Sequence, residues 1–141
     1  MLRHLHRIPI KTKVKRTVHS MASIFIVDDE ENLHQIYKAL FTMKGHRVIG
    51  SAFDGDEAVE LFLQMDPKPD VIIMDHRMPR MDGISATKMI QEINAKSKIV
   101  FVSADETVRS EAMEAGAAVF QVKPVRAKEL FKIIEMIAED N

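Results

Sequence analysis

Five short apolar runs, rich in β-branched residues and separated by stretches with helical spacing, constrain this chain more than any other feature. The runs are Ile24–Val27, Val48–Ala52, Val71–Met74, Ile99–Val102 and Ala118–Val122. Each is too short for most helices. Apart from Gln121 they barely alternate between polar and apolar residues, as strands covered on both faces do.

The intervening stretches repeat apolar residues at helical intervals. Leu33, Ile36, Tyr37, Leu40 and Phe41 form one stripe, and Ala58, Leu61, Phe62 and Met65 a second. Ile84, Met89, Ile90 and Ile93 form a less regular third, and Leu130, Ile133, Ile134 and Ile137 a clear last one. Glu106–Ala115 is the weakest and reads as a short, loosely held helix. Gly45 and Gly116 stand where helices end, and Pro67 and Pro69 break the chain before the third run.

Five strands alternating with five helices predict an α/β domain with a parallel sheet. Right-handed crossovers leave few topologies, of which the flavodoxin-like, doubly wound order 2-1-3-4-5 is the expectation. That order places a ligand site beyond the carboxyl ends of the first and third strands.

Chemistry-bearing residues follow the runs at those ends. Asp28-Asp29, then Glu30-Glu31, follow the first run; Asp75 follows the third, Ser103-Ala104 the fourth and Lys123-Pro124 the fifth. Taken singly, each has a plain structural explanation. Acids before a helix favour its dipole, Asp75 suits a loop, Ser103 a helix cap, Lys123-Pro124 an exposed turn and Phe120 the core. Their joint fall on the edge where the fold places its site is what points to chemistry. Carboxylates brought close raise one another's pKa, and a hard cation relieves the repulsion. Oxygen donors without thiolate, and with His76 as the one imidazole nearby in sequence, favour Mg²⁺ over zinc. A carboxylate is also a nucleophile able to form an aspartyl phosphate. Lys123 supplies a fixed cation, Ser103 a hydroxyl donor, and Ala104 leaves room for a phosphoryl group.

Composition narrows the classes. The 141 residues suffice for one domain, and 46% are hydrophobic, so a substantial core can form. With no cysteine there is no disulfide framework and no thiol nucleophile. No stretch approaches a membrane span. The net charge of −1 conceals an asymmetry. Residues 1–20 hold Arg3, Arg7, Lys11, Lys13, Lys15 and Arg16 and no acid, whereas all 21 Asp/Glu lie beyond them. Residues 1–21 are therefore read as a basic extension, disordered or outside the native start, since Met21 stands just before the first run. A continuous apolar core of a signal peptide is missing from it. A nucleic-acid or anionic-membrane arm is the sharper alternative, though it lacks stacking aromatics.

From about residue 22 to 141 the chain resembles the receiver domain of two-component response regulators. The resemblance rests on Val27-Asp28-Asp29-Glu30, then Asp75-x-x-Met78-Pro79-x-Met81-Asp82-Gly83, Ser103-Ala104 and Gly116-Ala117-x-x-Phe120-x-x-Lys123-Pro124. It implies phosphorylation on Asp75 from a histidine kinase or histidine phosphotransfer protein. It further implies Mg²⁺ (or Mn²⁺) held by Asp29 directly, Asp28 mainly through water, Asp75, and the backbone carbonyl of Arg77. Lys123 would pair with Asp75 and then with the phosphoryl group. Ser103 would move toward it and Phe120 rotate inward. The Lys123–Pro124 bond is expected to be cis, which is uncommon even for X–Pro.

With no output domain expected after Asn141, the chain resembles a stand-alone receiver of the chemotaxis or phosphorelay kind, a cytoplasmic signalling switch expected to be monomeric or weakly dimeric. Its protein target would be met on the face formed by residues 106–139, and neither nucleic acid nor membrane is an expected partner. His76, Arg77 beside the path of an attacking water, Phe120 without a hydroxyl, and Arg126 at a helix cap depart from the family's common choices. Two other classes stand against this reading. An aspartate-nucleophile phosphatase usually carries a second acid where this chain has Arg77, and a nucleic-acid regulator would use the basic extension. A dinucleotide-binding domain would need a Gly-rich turn after the first strand, which is absent.

Overall fold

The computed structural model describes residues 21–139, so the basic segment 1–20 lies outside the described residues. Five parallel strands form one sheet: β1 (Ser23–Val27), β2 (Arg47–Ala52), β3 (Val71–Asp75), β4 (Lys98–Ser103) and β5 (Val119–Val122). Their order is β2-β1-β3-β4-β5. Between and after them lie α1 (Glu31–Met43), α2 (Gly55–Gln64), α3 (Gly83–Ile93), α4 (Arg109–Ala115) and α5 (Ala127–Glu139). The flavodoxin-like fold read from the sequence is the fold observed.

Strand periodicity sorts the core into two layers. Phe25, Val27, Ile72, Met74, Ile99, Phe101 and Phe120 face α2, α3 and α4. Ile24, Ile26, Val71, Ile73, Val100 and Val102 face Tyr37 and Phe41 of α1 and the α5 stripe Leu130, Ile133, Ile134 and Ile137. Both β1 and β3 are buried along their whole length, which accounts for the apolar runs Ile24–Val27 and Val71–Met74 within them. Each large aliphatic side chain so buried contributes about 1.5–3 kcal/mol over leaving it exposed. Truncating the fully buried Ile134 to Ala would cost about 2–5 kcal/mol.

Several boundaries and faces differ from expectation. Asp75 and Ser103 close β3 and β4 as expected, whereas Ala118, counted with the fifth run, precedes β5. Glu106–Ala115 divides into a 3₁₀ turn, Glu106–Val108, followed by the seven-residue α4. The third stripe is corrected most. Met89 and Ile93 are exposed, and α3 instead buries Gly83, Ile84, Ala86, Thr87 and Ile90. Ile84 and Ile90 of the stripe are thus buried as expected, and the small residues Gly83, Ala86 and Thr87 complete the inner face in place of Met89 and Ile93. Ile36 is likewise exposed, and its place on the inner face of α1 is taken by His34. That ring packs at a tilt against Phe53, with 4.2 Å between centroids.

Helix ends follow local chemistry. Asp54 and Asp82 cap α2 and α3 by accepting hydrogen bonds from the backbone N–H of Glu57 and Ser85. Gly45 (φ 88°) and Gly116 (φ 122°) take the left-handed conformation that closes α1 and α4. The Lys123–Pro124 bond is cis as expected, and so is Asp66–Pro67, which was not anticipated.

Candidate functional site at the carboxyl edge of the sheet

Because all five strands run in one direction, their carboxyl ends share one edge. Val27 pairs with Met74, Asp75 with Val102, and Ser103 with Val122. That register brings Asp28, Asp75, Ser103 and Lys123 side by side, although 95 residues separate the first from the last. They surround a cleft of about 540 Å³, lined by Asp29, Glu30, Asp75, Arg77, Ser103, Ala104, Asp105 and Lys123.

Asp75 and Asp28 are buried at the cleft floor, and Asp29 is exposed at its rim. One carboxylate oxygen from each lies within 4.8 Å of the others. Lys123 Nζ donates to Asp75 Oδ1 at 3.0 Å and stands 3.5 Å from Asp28 Oδ2. Asp28 Oδ1 accepts from the Glu30 N–H at 2.8 Å, which fixes that carboxylate against the start of α1.

The electrostatics are unbalanced. Burial, followed by the charge of Asp28, raises the Asp75 pKa above the usual carboxylate range, against the pull of Lys123. Burial alone would lower the Lys123 pKa, but its hydrogen bond to Asp75 and the charges of Asp75 and Asp28 outweigh that and raise it. One cation therefore does not compensate the carboxylates. Burial and the Asp28 charge also push up the Tyr37 phenol, which keeps it neutral behind the site.

A hard divalent cation fits this donor set. Three carboxylates converge, all donors are oxygen, and a residual negative charge awaits compensation. One sequence expectation needs correction here. His76 is not the one imidazole near the site, because His34 Nε2 lies 2.6 Å from the backbone oxygen of Asp28. That ring meets the main chain rather than a carboxylate oxygen, so the donors remain oxygen.

The remaining residues divide between cleft and core. The Ser103 hydroxyl is buried, accepts from the Asp105 N–H at 3.0 Å and approaches the Asp105 carbonyl at 3.5 Å. Ala104 is exposed along the lining. The side chain of Arg77 pairs with Asp105 at 3.3 Å across the cleft mouth. Phe120 is not part of the lining. It is buried against Phe101, with ring centroids 5.8 Å apart, and the Arg109 guanidinium lies over its ring at 4.8 Å from the centroid. Pro124 follows Lys123 at the exposed edge.

Two participants were not singled out from the sequence. Asp105 is one; the Asp-x-Thr spacing, in which Asp105 accepts from Thr107 N at 3.0 Å, was the available signal. Gly83 is the other in its role, though the motif quoted for the resemblance contains it; its N–H donates to the His76 carbonyl at 2.8 Å and its Cα abuts Asp75.

Comparison with known proteins agrees with this geometry. Residues 24–135 match the family model described as the response regulator receiver domain. The chain is 36% identical over 118 residues to the chemotaxis protein CheY of Thermotoga maritima, covering 82% of this chain and 97% of that one. Among solved structures it resembles a CheX–CheY–BeF₃–Mg²⁺ complex from Borrelia burgdorferi. The TM-score is 0.76 and the identity 28%, over 84% of this chain and 89% of that one. It also resembles the receiver domain of a Pseudomonas aeruginosa sensor histidine kinase, solved with a magnesium ion in its active site cleft. That match has a TM-score of 0.75 and 27% identity, over 84% of this chain and 98% of that one.

Proposed function

This chain belongs to the response regulator receiver domain family, and from that premise we propose that it is a phosphoacceptor switch acting through Asp75. The observation that carries the reading is the contact of Lys123 with Asp75 beside Asp28 and Asp29. A nucleophilic carboxylate, a fixed cation and an oxygen cluster for a metal stand at one sheet edge.

The donor is a phosphohistidine on a histidine kinase or phosphotransfer protein. An Asp75 carboxylate oxygen attacks the phosphorus, and a new O–P bond forms as the P–N bond breaks. The imidazole leaves with the bonding pair and takes up a proton. Asp28, Asp29, Asp75 and the Arg77 backbone carbonyl would hold Mg²⁺ (or Mn²⁺), which would supply positive charge to the phosphoryl oxygens. Lys123 is already in place to pair with the product. Ser103 turns from Asp105 to donate its hydroxyl to a phosphoryl oxygen. Hydrolysis reverses the state: water attacks phosphorus, the acyl O–P bond breaks, and Asp75 is regenerated with release of inorganic phosphate.

Reorientation of Ser103 is felt by the 3₁₀ turn Glu106–Val108 and by α4 after it, so the face of residues 106–139 carries the signal to a protein target. Phosphorylation then works as a population shift between two arrangements of that face. The receiver unit is residues 22–141, acting in the cytoplasm. The basic segment 1–21 is an extension to it.

Incubation with Mg²⁺ and acetyl phosphate, followed by intact mass, tests the reading. A single phosphoryl adduct, absent in Asp75→Asn and in EDTA, is the expected result. Steady donor hydrolysis without an adduct would favour an aspartate-nucleophile phosphatase instead.

A further inference from the structure

The ion pair between Arg77 and Asp105 joins the loop after β3 to the loop after β4. Arg77 lies two residues beyond Asp75, and Asp105 two residues beyond Ser103. Their contact is a single one, Arg77 Nη2 to Asp105 Oδ2 at 3.3 Å, with the Arg77 side chain 79% exposed and that of Asp105 29% exposed. Such a pair is easily exchanged, because solvent screens an exposed pair and leaves it only weakly stabilising.

Asp105 is bound on three sides. Its N–H donates to the Ser103 hydroxyl, and its Oδ1 accepts from both the N–H and the hydroxyl of Thr107 at the start of the 3₁₀ turn. The remaining carboxylate oxygen meets Arg77. The residue whose N–H engages the Ser103 hydroxyl is thus itself held by a cation that lines the same cleft as Asp75.

We propose that Arg77 is a positioning residue that exchanges partners: it holds the Asp105 loop, and with it Ser103, in the unphosphorylated protein, and transfers to the phosphoryl group once Asp75 carries one. The proposal rests on the phosphoacceptor reading. A phosphoryl group carries more charge than one carboxylate and presents three acceptor oxygens. The planar guanidinium fork matches such a group better than a single end-on contact to Asp105. Transfer frees Asp105, and Ser103 can then leave its N–H. The pair so biases the equilibrium in both directions, by stabilising the resting arrangement and then the phosphorylated one.

The two partners of one ion pair must then have opposite effects. Calorimetric titration with beryllium fluoride and Mg²⁺ at low salt, using wild type, Asp105→Asn, Arg77→Gln and the double variant, reads this directly. Asp105→Asn, which keeps the Oδ1 contacts to Thr107, is expected to tighten binding about three- to five-fold, the range set by an exposed pair. Arg77→Gln weakens it by a similar factor, and the double variant binds like Arg77→Gln. If Asp105→Asn tightens binding equally in both backgrounds, it acts by removing a negative charge and the exchange is refuted. Unweakened binding by Arg77→Gln also refutes it. Failure of wild type itself to bind would overturn the phosphoacceptor reading, and the exchange with it.

Discussion

Gly83 lies so close to Asp75 that a Cβ built on it would stand 2.0 Å from the Asp75 carbonyl oxygen. No rotamer relieves that contact, because the obstacle is backbone. Gly83→Ala is therefore expected to destabilise the protein by about 1–3 kcal/mol, as overpacking of a rigid site does. It should also slow phosphorylation by displacing the end of β3. Urea denaturation alongside adduct formation checks both effects.

The cap of the same helix gives a milder test. The Asp82 carboxylate accepts from the Ser85 N–H at 2.9 Å. Its loss in Asp82→Ala should cost about 0.5–2 kcal/mol. The expected phosphorylation rate is close to wild type, since Gly83 stays in place.

The carboxyl edge also has a signed pH dependence. Asp75 titrates above the usual carboxylate range in the folded protein, chiefly through burial and then through the charge of Asp28. Native protein thus holds that proton more tightly than unfolded chain. Its contribution to stability falls as pH rises from the usual carboxylate range through the native titration, and the full penalty stands above it. Asp75→Asn removes the penalty and leaves Lys123 with Asp28 at 3.5 Å. Without divalent metal, the variant should melt above wild type at pH 7, and the gap should close on acidification below the usual carboxylate range. A variant melting lower at pH 7 would contradict this.

Divalent metal should reverse that ranking. Mg²⁺ at one hundred times its Kd would stabilise wild type by about 2.7 kcal/mol. Asp29→Asn should lose most of that gain while changing metal-free stability by no more than about 0.5 kcal/mol, because Asp29 is exposed. Thermal melts at graded Mg²⁺ measure both.

Much of this was legible in the sequence for physical reasons. Strands buried on both faces must be apolar throughout, so β1, β3 and β4 announce themselves. A parallel sheet puts all carboxyl ends on one edge, so Asp28, Asp75, Ser103 and Lys123 could be expected together. Periodicity failed where packing chose small residues: α3 buries Gly83, Ala86 and Thr87 and leaves Met89 and Ile93 outside. It also failed where a polar residue is satisfied by backbone, as His34 is by the Asp28 carbonyl. The contact of Arg77 with Asp105 joins residues 28 apart through loop geometry, which no local pattern encodes.

The central claim is that Asp75 is the acceptor. Borohydride reduction converts an aspartyl phosphate to homoserine, so protein treated with acetyl phosphate and Mg²⁺, reduced, digested and mapped by mass spectrometry locates the acceptor. Homoserine is expected at position 75 alone, and at no position when Mg²⁺ is withheld. Homoserine at Asp28, Asp29 or any other acid, with Asp75 intact, would contradict it.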